Sequence, residues 1–367
     1  MDAPRLIWDV GTAYDLFISL DVLHNPARYG LRGSWAAGVR SRLPVEKREF
    51  LQEAINNHTI WVIPWLATQP GPKDSATVLQ RIAQIPPRQR LLELNACHIS
   101  DKVRALMESV LERGAWDEED REALRDIYQE AYRKEGKKKK VSDEDLANEL
   151  TAWANAETFG EKWLAALRAY YDVFFAEEEA RIRPALEATV EEAKELAERL
   201  ALPELLEELS QGLRFDFEGI EEMQELTLIP SFWTTPLSMF TPIGADHKRW
   251  LFLFGGRPAD VSLVPGEVVP ELLFQTLKAL ADPTRLRILR YLTAEPLTPA
   301  QLARRLRLRP PTVIHHLDTL RLARLVHVTL SYEGRRYEVR REAVAAAFES
   351  LETYLDSAKE EKRVKKS

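Results

Sequence analysis

The strongest local constraint on the fold lies near residue 300, where two short helices are predicted in close succession. Thr298-Pro299-Ala300-Gln301 is a capping box, with a hydroxyl at the cap, proline in the first helical position and glutamine three residues on. A turn over residues 307–309 follows, and a second helix is predicted from Pro310 or Pro311 to about Leu322. Two short helices joined by such a turn form a helix-turn-helix.

The second helix has an apolar side and a polar side. Val313, Leu317 and Leu320 recur at the spacing of a buried helix face. A helix that is anchored in this way can offer its other side to base edges and phosphates in the major groove. The residues predicted to contact DNA from this helix and its start are Arg309, Thr312, His315, His316 and Thr319.

Two β-like segments follow the second helix. Residues 325–331 alternate apolar and polar side chains, Glu333-Gly334 suits a turn, and residues 335–340 return. The hairpin carries Arg335 and Arg336 beside its tip, from where an arginine can reach the minor groove or the DNA backbone. The pattern predicts a winged helix-turn-helix, with these two arginines as further DNA contacts.

Charge is divided unevenly along the chain. Residues 271–367 hold 19 Lys and Arg against 12 Asp and Glu, whereas residues 1–270 hold 32 against 46. Within residues 278–341 the ratio is 14 to 5. A basic module attached to an acidic body indicates that only the module meets a polyanion, with chance segregation of solvated surfaces as the alternative.

The C-terminal module resembles the ArsR family of bacterial winged-helix repressors. The resemblance covers about residues 271–355 and is carried by residues 279–289, by Pro311-Thr312-Val313 and His316-Leu317, and by the arginine-rich wing. It implies a homodimer that binds a two-fold operator, with half-sites about one turn of double-stranded DNA apart. The dimer would form through the first and last helices of the module. The residues assigned to this contact are Leu273, Leu277, Leu280, Val344, Phe348, Leu351 and Leu355.

The module departs from the family pattern in two places. Arg309-Pro310 stands where the family usually has a small polar cap, which leaves the start and the exact contacts of the second helix open. The family's metal-sensing members carry cysteines on the first helix of the motif, or acidic and His ligands on the last helix. Here the first place reads Leu297–Gln301, and no His follows His327. We therefore expect no metal and no cofactor, with repression as the family default.

The N-terminal part is predicted to be mostly helical with a small β element. Apolar spacing and caps favour helices over residues 45–56, 101–112, after Ser142, and over 157–200. Short β-like runs lie at residues 213–217, 226–229 and 250–254. The chain is thus expected to be mainly α (α+β).

Four segments are predicted along the chain. They are a helical sensor or regulatory domain over 1–255, a linker over 256–270, the winged helix-turn-helix over 271–356 and a charged tail over 357–367. The start of the chain lacks the pattern of a secretory signal, and no apolar run is long enough to span a bilayer. We therefore expect a cytoplasmic protein with no membrane partner.

Aromatic residues of the N-terminal domain are candidates for a pocket that binds an apolar or aromatic small-molecule effector. They are Phe232, Trp233, Phe240, Trp250 and Phe252. An ordinary aromatic core is the alternative interpretation of each. The sequence contains neither a Gly-rich phosphate loop nor a Ser nucleophile motif, so this domain is not expected to be an enzyme.

These patterns together predict a sequence-specific DNA-binding transcription regulator that does not sense metal. Its partners would be double-stranded DNA, a second copy of the chain and a small-molecule effector. Two other functions stay open at this point. One is a scaffold whose winged helix binds protein, and the other is an enzyme domain fused to a DNA-binding module.

Overall fold

The computed structural model of the protein consists of a helical body followed by a winged module. It describes residues 4–57, 62–97, 99–134, 141–216, 223–244, 247–258, 261–264, 269–331 and 334–364. Most of these residues are helical and a minority form short strands, which confirms the predicted mainly α class. Among them, no helix is both long and apolar enough to cross a membrane.

The body is built mostly from helices. They are α1 (Thr12–His24), α2 (Gly33–Arg40), α3 (Val45–Asn57), α4 (Val62–Thr68), α5 (Ser75–Gln84), α6 (Arg90–Asn95), α7 (Asp101–Arg113), α8 (Glu118–Lys134), α9 (Asp143–Ala154), α10 (Ala156–Tyr170), α11 (Ala176–Ala197) and α12 (Leu202–Ser210). Short 3-10 turns lie at Pro26–Tyr29 and Pro87–Gln89, and a π-helical turn at Tyr171–Phe175 joins α10 to α11.

The predicted helix starts and periods in the body are confirmed. Ser142 caps α9, and its hydroxyl accepts a hydrogen bond from the backbone N–H of Asp145 at 3.5 Å. Leu146 and Leu150 of that helix are buried. The long helical region predicted over 157–200 is α10 and α11, which the π-helical turn makes nearly continuous.

Five strands lie in the body part of the chain, in the residues that the structure describes. They are β1 (Arg5–Trp8), β2 (Leu213–Asp216), β3 (Glu225–Ser231), β4 (Met239–Pro242) and β5 (Arg249–Gly255). Four of them form a sheet in the order β1-β3-β5-β4, in which β1, β3 and β5 are parallel and β4 is antiparallel to β5. The sequence patterns had not predicted β1 and β4.

Both faces of this sheet are covered. Leu228 and Phe252 pack in the cluster that includes α11 and α12, whereas Ile229 and Leu253 pack in the main helical core. Successive residues of a strand point to opposite faces, so a parallel strand buried on both sides is apolar throughout. This explains why the centre of β5, residues 250–254, is a continuous apolar run rather than an alternating one.

The winged module has its own core. Its elements are α13 (Glu271–Leu280), α14 (Pro283–Leu292), α15 (Pro299–Leu306), α16 (Pro310–Leu322), β6 (Val326–Ser331), β7 (Gly334–Val339) and α17 (Arg341–Val364). Its buried cluster includes Ile288, Leu302, Val313 and Leu325. The module therefore has the helices and the hairpin that the sequence predicts for a winged helix-turn-helix.

Strand β2 belongs to the sheet of the module and not to that of the body. It runs parallel to β6, with Leu213 opposite Val328 and Phe215 opposite Leu330, so that the sheet order is β2-β6-β7. Leu213 is buried in the core of the module. The strand predicted near residue 213 is present, but its partner was not foreseen, because nothing local in the sequence pairs it with a hairpin more than 100 residues away.

Several residues of the segment expected to be a linker pack against the body. The Gly256 N–H donates to the carbonyl of Ser231 at 2.8 Å, and Leu263 is fully buried in the main core. Arg257 is buried and pairs with Glu271, the first residue of α13, at 2.6 Å. These contacts and strand β2 attach the module to the body at two separate places.

Candidate DNA-binding site

Helix α15 is defined at both ends by its own sequence. The Thr298 N–H donates to Oε1 of Gln301 at 2.8 Å, and the Gln301 N–H donates to the Thr298 hydroxyl at 3.3 Å, which confirms the capping box. Arg307 ends the helix in the left-handed conformation, with φ of 56°. The chain then turns directly into α16.

Helix α16 is anchored by the apolar face that the sequence predicts. Val313, Leu317 and Leu320 are fully buried in the core of the module. At its start, the Arg309 side chain makes no capping hydrogen bond, and Pro310 and Pro311 occupy the first positions. The helix therefore begins without the polar cap, and its position depends on packing.

The opposite face of α16 is open to solvent. Thr312 and His315 are exposed, as a recognition helix requires. Thr319 is half-buried, and its hydroxyl donates to the carbonyl of His315 at 3.0 Å, so it is partly used within the helix. Ile314 is also exposed, and the sequence patterns did not single it out. It lies off the stripe of buried residues, and an apolar side chain there can contact a thymine methyl group.

His316, also predicted to contact DNA, lies beside the start of α14. Its side chain is mostly buried, and Nδ1 lies 3.9 Å from Oδ1 of Asp282. Burial lowers the pKa of His316 below its ordinary value. Asp282 itself caps α14 and accepts from the N–H of Arg285 at 2.8 Å. His316 thus packs between α16, which carries it, and the start of α14, and this packing helps to hold the two helices together.

The wing places its two predicted arginines on the surface. Arg335 and Arg336 are exposed on β7, opposite Leu330 and Thr329 of β6. Glu333, expected in the turn, lies outside the described residues. Tyr337, the next residue on β7, is buried and exchanges backbone hydrogen bonds with Leu297, at 3.0 and 2.9 Å. This bridge fixes the wing next to the start of α15.

Positively charged side chains surround α16 and the adjacent part of the wing. Burial raises the pKa of Asp318 on α16, and nearby positive charges oppose that rise. They are the guanidinium groups of Arg321, Arg335 and Arg28. Arg28 comes from the body, so the electrostatic surroundings of the helix are not made by the module alone. A surface with this excess of positive charge suits the phosphates of DNA.

The residues predicted for a dimer contact fall into two groups. Leu273, Leu280 and Val344 pack at least in part inside their own chain, and Leu277 and Leu351 are half-buried. Phe348 and Leu355 on α17 are 55% and 60% exposed, and Phe274 on α13, which the prediction omitted, is 51% exposed. Among the residues of α13 and α17 whose burial the structure describes, the large exposed apolar side chains are therefore Phe274, Phe348 and Leu355.

The five aromatic residues predicted to line a pocket lie in two different clusters. Phe232 and Trp233 are buried in the main core, where Trp233 contacts Phe174 at 5.8 Å between ring centroids. Phe240, Trp250 and Phe252 pack on the other side of the sheet, with Phe240 stacked on Trp250 at 4.7 Å. The structure does not bring the five together.

In the described part of the chain, no group of three or more His, Cys, Asp and Glu side chains is arranged to hold a metal ion.

Comparison with known protein families identifies the same part of the chain. A family model for a helix-turn-helix domain matches residues 280–329, which include α14, α15 and α16. Comparisons with curated proteins and with solved structures found no match. The chain thus carries a helix-turn-helix domain of the DNA-binding kind that transcription regulators use, attached to a body for which these comparisons supply no relative.

Proposed function

We propose that the protein is a sequence-specific transcription regulator that binds double-stranded DNA with α16 in the major groove and the wing beside it. The observation that carries the proposal is the division of α16 into a fully buried apolar face and an exposed face with Thr312 and His315. Such side chains form hydrogen bonds with base edges, whereas Arg335 and Arg336 on the wing suit phosphate oxygens.

A homodimer on a two-fold operator is part of the proposal. Phe274 on α13 and Phe348 and Leu355 on α17 expose apolar surface on the two helices that the ArsR resemblance assigns to dimer contact. A two-fold axis would place the same surface of each copy against the other and cover these side chains. Repression, and not activation, is the mode of regulation that the resemblance favours.

For the body we propose a regulatory role and not a catalytic one, with a small organic molecule as the effector. Phe215 on β2 contacts Phe240 of the body at 4.9 Å and Phe252 at 6.1 Å between ring centroids. The same strand pairs with β6 of the wing. A ligand that shifts this aromatic cluster would therefore act on the wing through one strand, which is a contiguous route between the two parts.

The test is footprinting of the purified full-length protein on genomic DNA, followed by binding assays on the recovered sites. We expect discrete two-fold sites, and we expect His315→Ala to change the base preference within each half-site more than it changes affinity for unrelated DNA. Binding to all DNA alike, or a stable protein partner in the absence of DNA binding, would contradict the proposal.

A second measurement tests the dimer. We expect the wild-type chain to sediment as a dimer and Phe348→Glu to shift it toward monomer, because the charge would lie in the apolar contact. Glu349→Ala, a change at the next exposed position of the same helix, is the matched control. A wild-type monomer at the concentrations that saturate the operator would contradict this part.

A further inference from the structure

One large apolar side chain is exposed on the helix that is proposed to enter the major groove. Ile314 of α16 is 44% exposed, although the body and the rest of the module surround the helix on its other sides. Single exposed apolar residues are common on proteins, so exposure alone indicates no role. The place of Ile314 within the helix-turn-helix is what gives its exposure a meaning.

The periodicity of α16 places Ile314 beside the face that is proposed to contact bases. Val313, Leu317 and Leu320 are fully buried, which determines the side of the helix that faces the core. Successive residues advance by about 100° around a helix, so Ile314 lies between this buried side and the exposed His315. Asp318, four residues further on, is also exposed and is its neighbour along the helix. Neither an isoleucine nor a carboxylate donates a hydrogen bond to phosphate, so this flank suits base edges better than the DNA backbone.

Ile314 also lies in the half of α16 that comes closest to base edges. The helix begins at Pro310, and the N-terminal residues of a recognition helix are the ones that reach bases. Pro310 and Pro311 have no backbone N–H, and the Arg309 side chain makes no capping hydrogen bond. Recognition at this end of the helix therefore depends on side chains.

The major groove offers one apolar feature that an isoleucine can contact. Thymine carries a C5 methyl group there, whereas the edges of the other bases present hydrogen-bond donors and acceptors. A hydrocarbon side chain placed against those groups would displace their water without replacing the hydrogen bonds, which costs free energy. Ile314 would thus favour thymine by contact and disfavour the other bases by desolvation.

We propose that Ile314 is a specificity-determining residue, which contacts the C5 methyl group of one thymine in each half-site of the operator. A β-branched side chain on a helix has essentially one χ1 rotamer, so little entropy is lost when the contact forms. This inference rests on the proposed function. It adds an apolar contact to the hydrogen bonds that Thr312 and His315 are proposed to make.

The experiment replaces each thymine of the operator in turn with deoxyuridine, which removes the C5 methyl group and leaves the base-pairing edge unchanged. The affinity of the full-length protein for each operator is measured at one salt concentration. Burial of one methyl group corresponds to about fourfold in affinity, so one thymine per half-site should show a loss of about this size in the wild type. Ile314→Ala should bind the thymine and deoxyuridine operators equally, because the methyl group has lost its partner. Ile314→Val, which is one methylene shorter, should show a smaller loss than the wild type.

A control variant and two contrary outcomes make the test decisive. Val45→Ala removes an aliphatic side chain that is 57% exposed at the start of α3 in the body, and it should keep the wild-type loss on deoxyuridine. If the wild type is indifferent to every deoxyuridine, or if Ile314→Ala keeps the full loss, this inference is wrong and the proposed function stands. If Ile314→Ala binds too weakly for the comparison, a wild-type loss in Ile314→Val contradicts the inference. If the wild type gives no discrete footprint, the proposed function itself fails.

Discussion

The buried charged residues of the body differ from the exposed charged residues of the wing in the contacts that they require. In the body, Asp15, Lys73 and Arg257 are buried and hydrogen-bonded. In the module, Arg335 and Arg336 are exposed on the wing proposed to meet DNA. A buried charge requires a defined partner, so it specifies one arrangement of the chain, whereas an exposed charge costs little and stays available. The difference indicates a body organised around a fixed shape and a module organised around an external ligand.

The strongest test of this difference is Asp15→Ala in the body. The Asp15 carboxylate is fully buried and accepts from the Ser231 hydroxyl at 2.6 Å and from the N–H groups of Phe232 and Trp233 at 3.1 and 2.9 Å. Its removal leaves three buried donors without an acceptor, and we expect a loss of about 3 kcal/mol or more in the free energy of unfolding. Chemical denaturation measures this loss.

The pH dependence of Asp15 provides an independent check. Burial raises the pKa of its carboxyl to about 6, above the ordinary value of 3.8. A raised pKa in the folded state means that stability due to this group is present at low pH and is lost as pH rises through about 6. Asp15→Asn should remove that loss, and an unchanged pH profile in this variant would contradict the assignment.

The next largest loss in the free energy of unfolding is expected from a substitution where the body and the module meet. Leu213 on β2 is a body residue buried in the core of the module, and Leu213→Ala should cost about 2–3 kcal/mol. Hydrogen exchange at the amide of Val328, which donates to the carbonyl of Gly212 at 2.9 Å, should also become faster. Arg214→Ala is the matched control, because its exposed ion pairs with Glu207 and Glu338 contribute at most about 1 kcal/mol. Equal effects from both variants would show that β2 does not pack as described.

The module could be predicted from sequence because its signals are local. The capping box at Thr298, the proline at the start of α16 and the 313-317-320 stripe each specify a helix and its orientation within a dozen residues. The charged residues at the wing tip are exposed for the same reason, since a short hairpin determines its own register. The burial of His316 was not predicted, because successive residues on a helix lie only about 100° apart and the nearby Asp282 belongs to the start of another helix.

The body could be predicted only in part, since its arrangement depends on distant pairings. β1 has four residues and becomes a strand only through β3, which follows it by more than 200 residues. The apolar run of β5 predicts a strand but does not tell which side chains face α12 and which face the main core. For that reason five aromatic residues that are close in sequence were assigned to one pocket, although the sheet separates them.

A smaller loss in the free energy of unfolding is expected from a substitution in the helix-turn-helix itself. Thr298→Ala removes the hydroxyl that caps α15 and should lower the free energy of unfolding by about 1 kcal/mol, whereas Thr298→Ser should keep most of it. Thermal or chemical unfolding of the two variants measures the difference. If serine were as destabilising as alanine, the contribution would come from the methyl group and not from the cap.

The smallest predicted change is in the pH dependence of stability, and it concerns His327, which lies at the contact between the body and the wing. Nδ1 lies 3.2 Å from Oε1 of Glu207 on α12, and Nε2 lies 3.5 Å from Oε1 of Glu342 on α17. Burial and the charges of Arg214 and Arg340 lower the pKa of His327, which the two glutamates only partly offset.

A lowered pKa of a folded histidine means that its contribution to stability is complete above about 6.5, the value in the unfolded chain, and decreases as pH falls through the lower folded value. His327→Gln should therefore flatten the decline in stability below pH 6.5. Parallel pH profiles of the two proteins would show that His327 does not couple protonation to this contact.

The central claim is that the exposed face of α16 and the wing bind DNA, and the salt dependence of operator binding tests it most directly. Arg335→Ala combined with Arg336→Ala should reduce the slope of log affinity against log salt by about 2 per bound chain, and affinity should fall by more than tenfold at 0.15 M salt. The footprint should stay centred on the same bases, since α16 is unchanged. Equal slopes and affinities for wild type and the double variant would contradict the account.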